Sequence, residues 1–184
     1  MSNYGVMVES RIQATNIDAL NRSAVCATAN VDGGNLVQLA NPTVQGNDVW
    51  TATVPTAVTG LWIAYNPSEK LTLVNGQYFA GLSADPRAYT NLQNREMTVF
   101  KPKVGDEIIL TIDDLDTASQ STVVAGDFIE AKAGQSTFTR IAKATGATAS
   151  TTAFQVEYVG VMPFPQAGIG MSQYKMVKAV CVQE

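Results

Sequence analysis

Short runs in which apolar and polar residues alternate dominate the chain. Residues 107–112 read Glu-Ile-Ile-Leu-Thr-Ile, and Ile108, Leu110 and Ile112 would share one face of an extended strand. Residues 153–161 alternate in the same way. About ten such segments are separated by Gly, Asn and Pro turns, and no helical pattern is long enough for a parallel crossover. The pattern therefore predicts an all-β fold, an antiparallel β-barrel or sandwich with little helix.

Turn residues between the apolar runs predict which strands pair. Asn75-Gly76 between two apolar runs is a strong hairpin signal. Asp32-Gly33-Gly34-Asn35 offers positive-φ residues for a hairpin that joins residues 24–31 to 36–39. Two further hairpins are expected, 127–132 with 137–141 and 153–161 with 174–182. Two stretches are expected to be surface loops, the polar residues 82–95 and the Pro- and Gly-rich residues 163–170.

The N-terminal residues 1–24 are predicted to form an arm ahead of the β-barrel or sandwich domain, residues 25–184. The strand pattern and the short helical turn in this arm are too short to be stable alone, so the arm needs to pack on its own domain or on a neighbour. Its apolar residues are too many for a solvated tail. We expect the arm to mediate assembly without being needed for the core fold.

Composition narrows the classes of function. The chain has 184 residues, 46% of them hydrophobic and 15% charged, and its net charge is −4, which suits one domain with a real core. No cluster of Lys and Arg is interleaved with aromatic residues, so nucleic-acid binding is not expected. The sequence contains no histidine, which excludes a His-based triad, a His general base and His-ligated zinc within this chain.

The two cysteines and the apolar runs bear on the compartment. Cys26 and Cys181 are far apart and form no CxxC motif. Two reduced, buried thiols are the favoured interpretation, with a disulfide left open. Neither a signal peptide nor an apolar run of bilayer length is found, so we expect synthesis and folding in a cytoplasm and no membrane partner.

Carboxylates are the candidate chemical groups. Asp113, Asp114 and Asp116 could hold calcium, but they lack EF-hand spacing, and solvated loop carboxylates are the favoured interpretation. Asp106 and Asp127 each follow a glycine at a strand entrance. Paired carboxylates can hydrolyse glycosides, whereas turn aspartates commonly accept hydrogen bonds from nearby backbone amides, and we favour the turn role.

No nucleophile, phosphate-binding or dinucleotide motif accompanies these carboxylates, so we expect no enzymatic activity and no cofactor. Aromatic side chains could instead stack on sugar rings if they are exposed, although core packing is the favoured interpretation. The aromatic residues concerned are Trp50, Trp62, Tyr65, Tyr78 and Phe79.

Several segments taken together resemble a tailed-bacteriophage head decoration (cement) protein. They are the N-terminal arm, the Asp32-Gly33-Gly34 turn, the two Gly-Asp strand entrances at 104–111 and 125–130, and the closing strands 153–161 and 174–182. The resemblance implies a structural virion protein on the capsid exterior, made in the cytoplasm of a bacterial host. Such proteins bind the outer surface of the expanded capsid and staple neighbouring major capsid subunits, many as trimers and some as monomers.

Two sets of residues are candidates for the contact with the major capsid protein. A strand-forming arm can add to a neighbour's sheet edge, which favours the arm residues Tyr4, Val6, Met7, Val8 and Ile12. The alternative is the surface loops, with Asp85, Arg87, Tyr89 and Phe164. Two other functions stay open: another phage structural component, such as a tail-tube or baseplate protein, and a carbohydrate-binding β-sandwich module.

Overall fold

A computed structural model describes the backbone of residues 3–40, 42, 48–166 and 170–184. It describes their side chains except those of residues 9, 10, 163–166 and 170–172. The strands are β1 Met7–Arg11, β2 Asn21–Cys26, β3 Leu36–Ala40, β4 Val49–Thr53, β5 Trp62–Ala64, β6 Leu71–Val74, β7 Gln77–Ala80, β8 Glu96–Phe100, β9 Glu107–Thr111, β10 Phe128–Glu130, β11 Thr139–Ile141, β12 Ala153–Gln166 and β13 Gly170–Gln183. The helical elements are α1 Thr117–Gln120 and the 3-10 helices Gln13–Asn16, Asp18–Leu20, Pro86–Ala88 and Ile112–Asp114.

These strands form two packed β units and one separate hairpin, which confirms the predicted all-β class. A six-stranded antiparallel sheet has the order β1-β9-β13-β12-β10-β11. A closed five-stranded barrel has the order β2-β4-β3-β5-β8. Its pairs are antiparallel except for β2 and β4, which run parallel. The remaining strands, β6 and β7, pair only with each other among the described strands.

The protein has two main hydrophobic cores, one inside the barrel and one between the barrel and the six-stranded sheet. Small residues of the barrel strands, such as Ala24, Ala52 and Ala64, fill the barrel interior. Alternate residues of the same strands, among them Leu36 and Ile63, point out of the barrel and pack on the six-stranded sheet. The barrel therefore uses both faces of its wall, one for its own interior and one for the joint core.

The structure differs from the predicted separate arm. Residues 7–11 are the edge strand β1, paired antiparallel with β9, and Met7 lies in the joint core with an exposed fraction of 1%. The Asn66 amide holds the backbone of Met7 by accepting from its N–H (3.0 Å) and donating to its carbonyl (2.5 Å). Residues 21–24 belong to barrel strand β2. The segment therefore packs on its own domain and not on a neighbouring molecule.

Most predicted hairpins form, but one does not. The pairs β6–β7, β10–β11 and β12–β13 are confirmed, and Asn75 and Gly76 both have positive φ. The hairpin expected between 24–31 and 36–39 is wrong, because β2 pairs with β4 and β8 whereas β3 pairs with β4 and β5. Closing the barrel uses both edges of each strand, so β2 and β3 are kept apart by β4.

The loop expected at 163–170 is wrong for residues 163–166 and 170, which belong to strands, whereas residues 167–169 lie outside the described part. Strands β12 and β13 remain paired through Pro163↔Gln173 and Pro165↔Met171 to Gln166↔Gly170. Two prolines spaced by two residues place both ring nitrogens on the same edge of a strand. They therefore interrupt no ladder when that edge faces away from the partner strand.

Candidate functional site

The β6–β7 hairpin carries apolar side chains on both of its faces. Leu73 lies opposite Tyr78, and Thr72 lies opposite Phe79, so Tyr78 and Phe79 point to opposite faces. Leu73, Tyr78 and Phe79 have exposed fractions of 51%, 48% and 41%. An isolated two-stranded hairpin is marginally stable in water, and exposed apolar patches commonly mark interaction sites. We name this element the β6–β7 hairpin surface.

A groove of about 450 Å³ separates this hairpin from the body of the protein. Leu73 and Tyr78 line it from the hairpin, while Tyr4, Thr90 and Leu92 line it from the body. The Arg95 guanidinium lies 5.1 Å from the centre of the Tyr78 ring and also pairs with Glu69 at 2.8 Å. The cation therefore contacts the Tyr78 ring, while Leu73 and Phe79 stay exposed to solvent.

The β12–β13 hairpin projects beyond the six-stranded sheet. Pairing with β10 ends at Gln155, and pairing with β9 ends at Met176, whereas the hairpin continues to Gln166 and Gly170. Tyr158, on β12 beyond its pairing with β10, has an exposed fraction of 63%. The Tyr158 ring lies across the strand at Gly160, where a Cβ would require the exposed ring to move.

Side chains on both faces tie the projecting part of this hairpin to the body of the protein. On one face the Tyr174 hydroxyl donates to the Asp113 carboxylate, and the Arg87 guanidinium lies 4.1 Å from the centre of the Tyr174 ring. On the other face the Lys175 ammonium donates to the Gln120 carbonyl at the end of α1 (2.9 Å). Burial, followed by the hydrogen bond to Asp113, raises the pKa of Tyr174 to about 12. The hydroxyl therefore keeps its proton at neutral pH.

The predicted arm contacts lie mostly inside the protein. Val6, Met7 and Ile12 are buried, and Tyr4 and Val8 are half-buried. These side chains pack on their own domain, so a capsid contact through them would require the segment to leave its site. The exposed apolar residues of the two hairpins are surfaces that are available without such a change.

The alternative loop residues also turn inward. Arg87 has an exposed fraction of 6% and forms an ion pair with Asp85 at 2.5 Å. Tyr89 is 2% exposed, and its hydroxyl donates to the Ser83 carbonyl (2.6 Å). These three residues therefore shape the loop from within. The fourth predicted residue, Phe164, lies in β12, and its side chain is outside the described part.

A buried polar cluster, which the sequence did not predict, holds the first residues of the chain. The Gly5 N–H donates to Asp32 (3.2 Å), whose other oxygen accepts from the Thr90 hydroxyl (2.6 Å). Asp114 is completely buried and accepts from the Thr111 hydroxyl (3.0 Å). A Cβ at Gly5 would overlap the Asp114 carboxylate. Glycine at position 5 thus lets the backbone lie against this acid.

The three aspartates of the calcium hypothesis point to different partners. Asp113 accepts from Tyr174, and Asp116 caps α1 by accepting from the Ser119 N–H (2.9 Å). Burial, together with the nearby charges of Asp32 and Asp113, raises the pKa of Asp114 well above its usual range. Among the described residues, no group of three Asp, Glu, Cys or His side chains is arranged to hold a metal ion.

The turn role of the two Gly-Asp aspartates is confirmed. Asp106 accepts from the N–H of Lys103 (2.8 Å), and Asp127 accepts from that of Val124 (3.1 Å), in both cases three residues earlier. Asp127 also pairs with Arg140 at 2.5 Å. Each carboxylate is thus occupied by structural hydrogen bonds.

The aromatic residues divide between the barrel and the hairpin. Trp50 and Trp62 are half-buried at the end of the barrel interior, and the Arg22 guanidinium lies 5.9 Å from the ring centre of each. Tyr65 packs on Phe100 with a centroid distance of 4.8 Å. Core packing therefore holds for Trp50, Trp62 and Tyr65, whereas Tyr78 and Phe79 on the β6–β7 hairpin are exposed.

The two cysteines are free and buried, as the favoured interpretation predicted. Burial raises the pKa of Cys181 to about 12, which keeps its thiol protonated and unreactive.

Comparison with known proteins gives no family assignment. No protein-family model matches the chain, and no curated protein or solved structure matches it either. Within the part of the chain that the structure describes, no helix is long and apolar enough to cross a membrane.

Proposed function

We propose that this chain is a structural virion protein that binds the outer surface of a phage capsid and stabilises contacts between major capsid subunits. The observation that carries the proposal is the β6–β7 hairpin surface, which stands apart from both β units and exposes Leu73, Tyr78 and Phe79. A partner surface that covers these side chains would remove apolar area from water and order the hairpin.

The remainder of the molecule supports a structural rather than a chemical role. Asp106 and Asp127 are occupied by turn hydrogen bonds, and Asp114 is sealed inside the fold. Repeated attachment of one such subunit to a regular lattice would strengthen weak individual contacts. The major capsid protein is the proposed partner, and the β6–β7 hairpin surface replaces the N-terminal residues as the first candidate for the contact.

Co-sedimentation of the purified protein with expanded capsids tests the proposal. The double variant Leu73→Ser/Phe79→Ser should weaken capsid binding by about tenfold or more, because two exposed apolar anchors are lost. The matched control is Val104→Ser/Val124→Ser, which changes valines that are 56% and 54% exposed on the body. Both variants should keep the wild-type melting temperature.

Two results would contradict the proposal. If the wild-type protein stays in the supernatant while intact capsids sediment, the protein does not bind capsids and the proposed function is wrong. If the wild type and the Leu73→Ser/Phe79→Ser variant bind capsids equally well, the β6–β7 hairpin is not part of the interface. Another surface of the protein would then make the capsid contact.

A tail-tube or baseplate component is the second candidate function, and the projecting β12–β13 hairpin favours it because such an element can reach a neighbouring subunit. Purified protein that polymerises into tubes without capsids would support this candidate. A carbohydrate-binding role has less support, since Trp50, Trp62 and Tyr65 are half-buried and only Tyr78 and Phe79 of the five candidate aromatic residues are exposed. Retention on a glycan array would favour carbohydrate binding over the tail-tube or baseplate role.

A further inference from the structure

Strand β13 extends past its neighbour in the six-stranded sheet. Pairing with β9 covers Met176–Val180, whereas β13 begins at Gly170. The projecting stretch, 170–175, is about 20 Å long at about 3.4 Å per residue. In the described residues, no strand pairs with this stretch on the side away from β12.

Hydrogen bonds near the other end of β13 show which way its backbone groups point. The Cys181 N–H donates to the Asp106 carbonyl (2.8 Å), and the Cys181 carbonyl accepts from the Gly105 N–H (2.9 Å). Cys181 therefore faces the β9 side. Because strand geometry repeats every two residues, Gln173 and Met171 direct their N–H and C=O groups to the same side, away from β12.

The opposite edge of the hairpin lacks donors at the matching positions. Pro163 lies opposite Gln173, and Pro165 lies opposite Met171. Since Gln173 and Met171 face away from β12, these pairs are the non-hydrogen-bonded kind, and both proline nitrogens point to the outer edge of β12. A proline has no N–H to donate there, so strand addition on the β12 edge is blocked.

The β13 edge carries no such protection. Residues 170–174 read Gly-Met-Ser-Gln-Tyr, without a proline or a charged residue. Natural proteins commonly guard exposed edge strands with prolines, charges or a covering element. One edge of the projecting hairpin is thus closed to further strands, and the other is open.

We propose that the open β13 edge pairs antiparallel with the same edge of a second copy of this chain, about a two-fold axis at Ser172. In this register, Met171 of one copy lies opposite Gln173 of the other, and each such pair exchanges N–H···O bonds in both directions. The result is a continuous four-stranded sheet, β12-β13-β13-β12, across the two copies.

A second copy suits this edge better than an unrelated strand because the edge is complementary to itself. The two-fold places no charged residue opposite another between 170 and 174, and like charges facing each other would destabilise the pair. An isologous contact of this kind closes on itself and stops at a dimer. The pairing needs no capsid, so its test is separate from the test of the proposed function.

Sedimentation velocity over a range of protein concentrations tests the proposal, with two proline variants as a matched pair. Gln173→Pro removes an N–H from the open β13 edge and should weaken dimerisation by about tenfold or more. Val161→Pro removes an N–H from the outer edge of β12, the edge that Pro163 and Pro165 already interrupt. It should dimerise like the wild type. Neither substitution removes a bond of the β12–β13 ladder.

A cross-link gives a second measurement that does not depend on how well the proline variants fold. Residues at a two-fold axis in a non-hydrogen-bonded pair have Cα atoms about 4.5 Å apart, which is compatible with a disulfide. Ser172→Cys should therefore form a disulfide-linked dimer under mild oxidation. Val161→Cys, at an exposed position on the other strand, should not. The native cysteines, Cys26 and Cys181, are buried and should stay reduced.

Three results would overturn the pairing. The first is a wild-type protein that is monomeric at every concentration and gives no Ser172→Cys cross-link. The second is a Gln173→Pro variant, folded by circular dichroism, that dimerises as strongly as the wild type. The third is loss of the dimer in Val161→Pro alone, which would place the contact on the β12 edge.

Discussion

Asp106 and Asp127 hold the base of the β12–β13 hairpin from its two opposite sides. The Asp106 carbonyl accepts from the Cys181 N–H on β13, and the Asp127 carbonyl accepts from the Val156 N–H on β12, both at 2.8 Å. The glycine before each aspartate completes the arrangement, as Gly105 donates to Cys181 and Gly126 donates to Val156. The two similar sequence motifs therefore perform the same structural task on neighbouring strands.

Loss of the Asp106 carboxylate should destabilise the fold. Asp106 is completely buried and accepts from the N–H groups of Gln13 (2.8 Å) and Lys103 (2.8 Å). We expect Asp106→Ala to lower the free energy of unfolding by about 2–4 kcal/mol, because two backbone donors lose their acceptor. Urea unfolding measures the change. The exposed Asp18→Ala is the control, expected within about 0.5 kcal/mol of the wild type. Equal stability of the two variants would contradict this role.

Removal of the N-terminal segment should unfold or strongly destabilise the protein. Met7 lies in the joint core, and Met7→Ala alone should cost about 2–5 kcal/mol. Deletion of residues 1–11 also removes strand β1 and should cost more. Leu82→Ala, at a side chain that is 58% exposed, serves as the control. A truncated protein that melts at the wild-type temperature would instead support the dispensable arm expected from the sequence.

Stability should fall as the pH rises through the folded-state pKa of Asp114. Burial raises the pKa of Asp114 and also that of the neighbouring Asp32, so both acids bind protons more tightly in the folded protein than in the unfolded chain. Their contribution is complete below the unfolded value of about 3.9 and is lost at higher pH.

Melting temperatures from about pH 4 upward should show this decline. Asp114→Asn places an uncharged amide of similar shape at the site, so much of the decline should disappear, with Asp32 supplying the remainder. A wild-type melting temperature that rises steadily across this range, or an unchanged slope in the variant, would show that Asp114 does not titrate as described.

Tyr174→Phe should loosen the projecting hairpin without unfolding the protein. The variant removes the hydroxyl that donates to Asp113, and a hydrogen bond to a charged group contributes about 1.5–3 kcal/mol. Hydrogen exchange should therefore become faster for amides in the projecting parts of β12 and β13. Exchange in β9 and in the barrel should stay close to that of the wild type. Tyr158→Phe changes an exposed tyrosine on the same hairpin and should leave exchange as it is.

The sequence predicts elements whose signal is local. Asn75-Gly76 specifies its hairpin because both residues adopt positive φ there. Asp32–Asn35 has a similar turn sequence, yet the flanking strands β2 and β3 do not pair with each other. In the closed barrel, β2 pairs with β4 and β3 pairs with β5. Barrel closure depends on contacts between segments far apart in the chain, and turn chemistry carries no information about them.

The location of the N-terminal segment and of the exposed surface could not be predicted for the same reason. A short alternating run such as residues 6–8 is equally typical of an arm and of an edge strand. The partner that decides between them, Asn66, is distant in sequence. The sequence shows that Tyr78 and Phe79 are aromatic but not that they are exposed. Their exposure follows from the separation of β6 and β7 from the other sheets, which depends on the topology of the whole fold.

The location of both tryptophans beside Arg22 in the barrel has a spectroscopic consequence. Trp50 and Trp62 are the only tryptophans in the sequence, and both lie in barrel strands. Intrinsic tryptophan fluorescence therefore reports on the barrel alone, whereas far-UV circular dichroism reports on every strand. If the barrel and the six-stranded sheet unfold as one unit through their joint core, the two signals should change at the same denaturant concentration. A gap between the transitions would show that the sheet, which has no tryptophan, unfolds separately from the barrel.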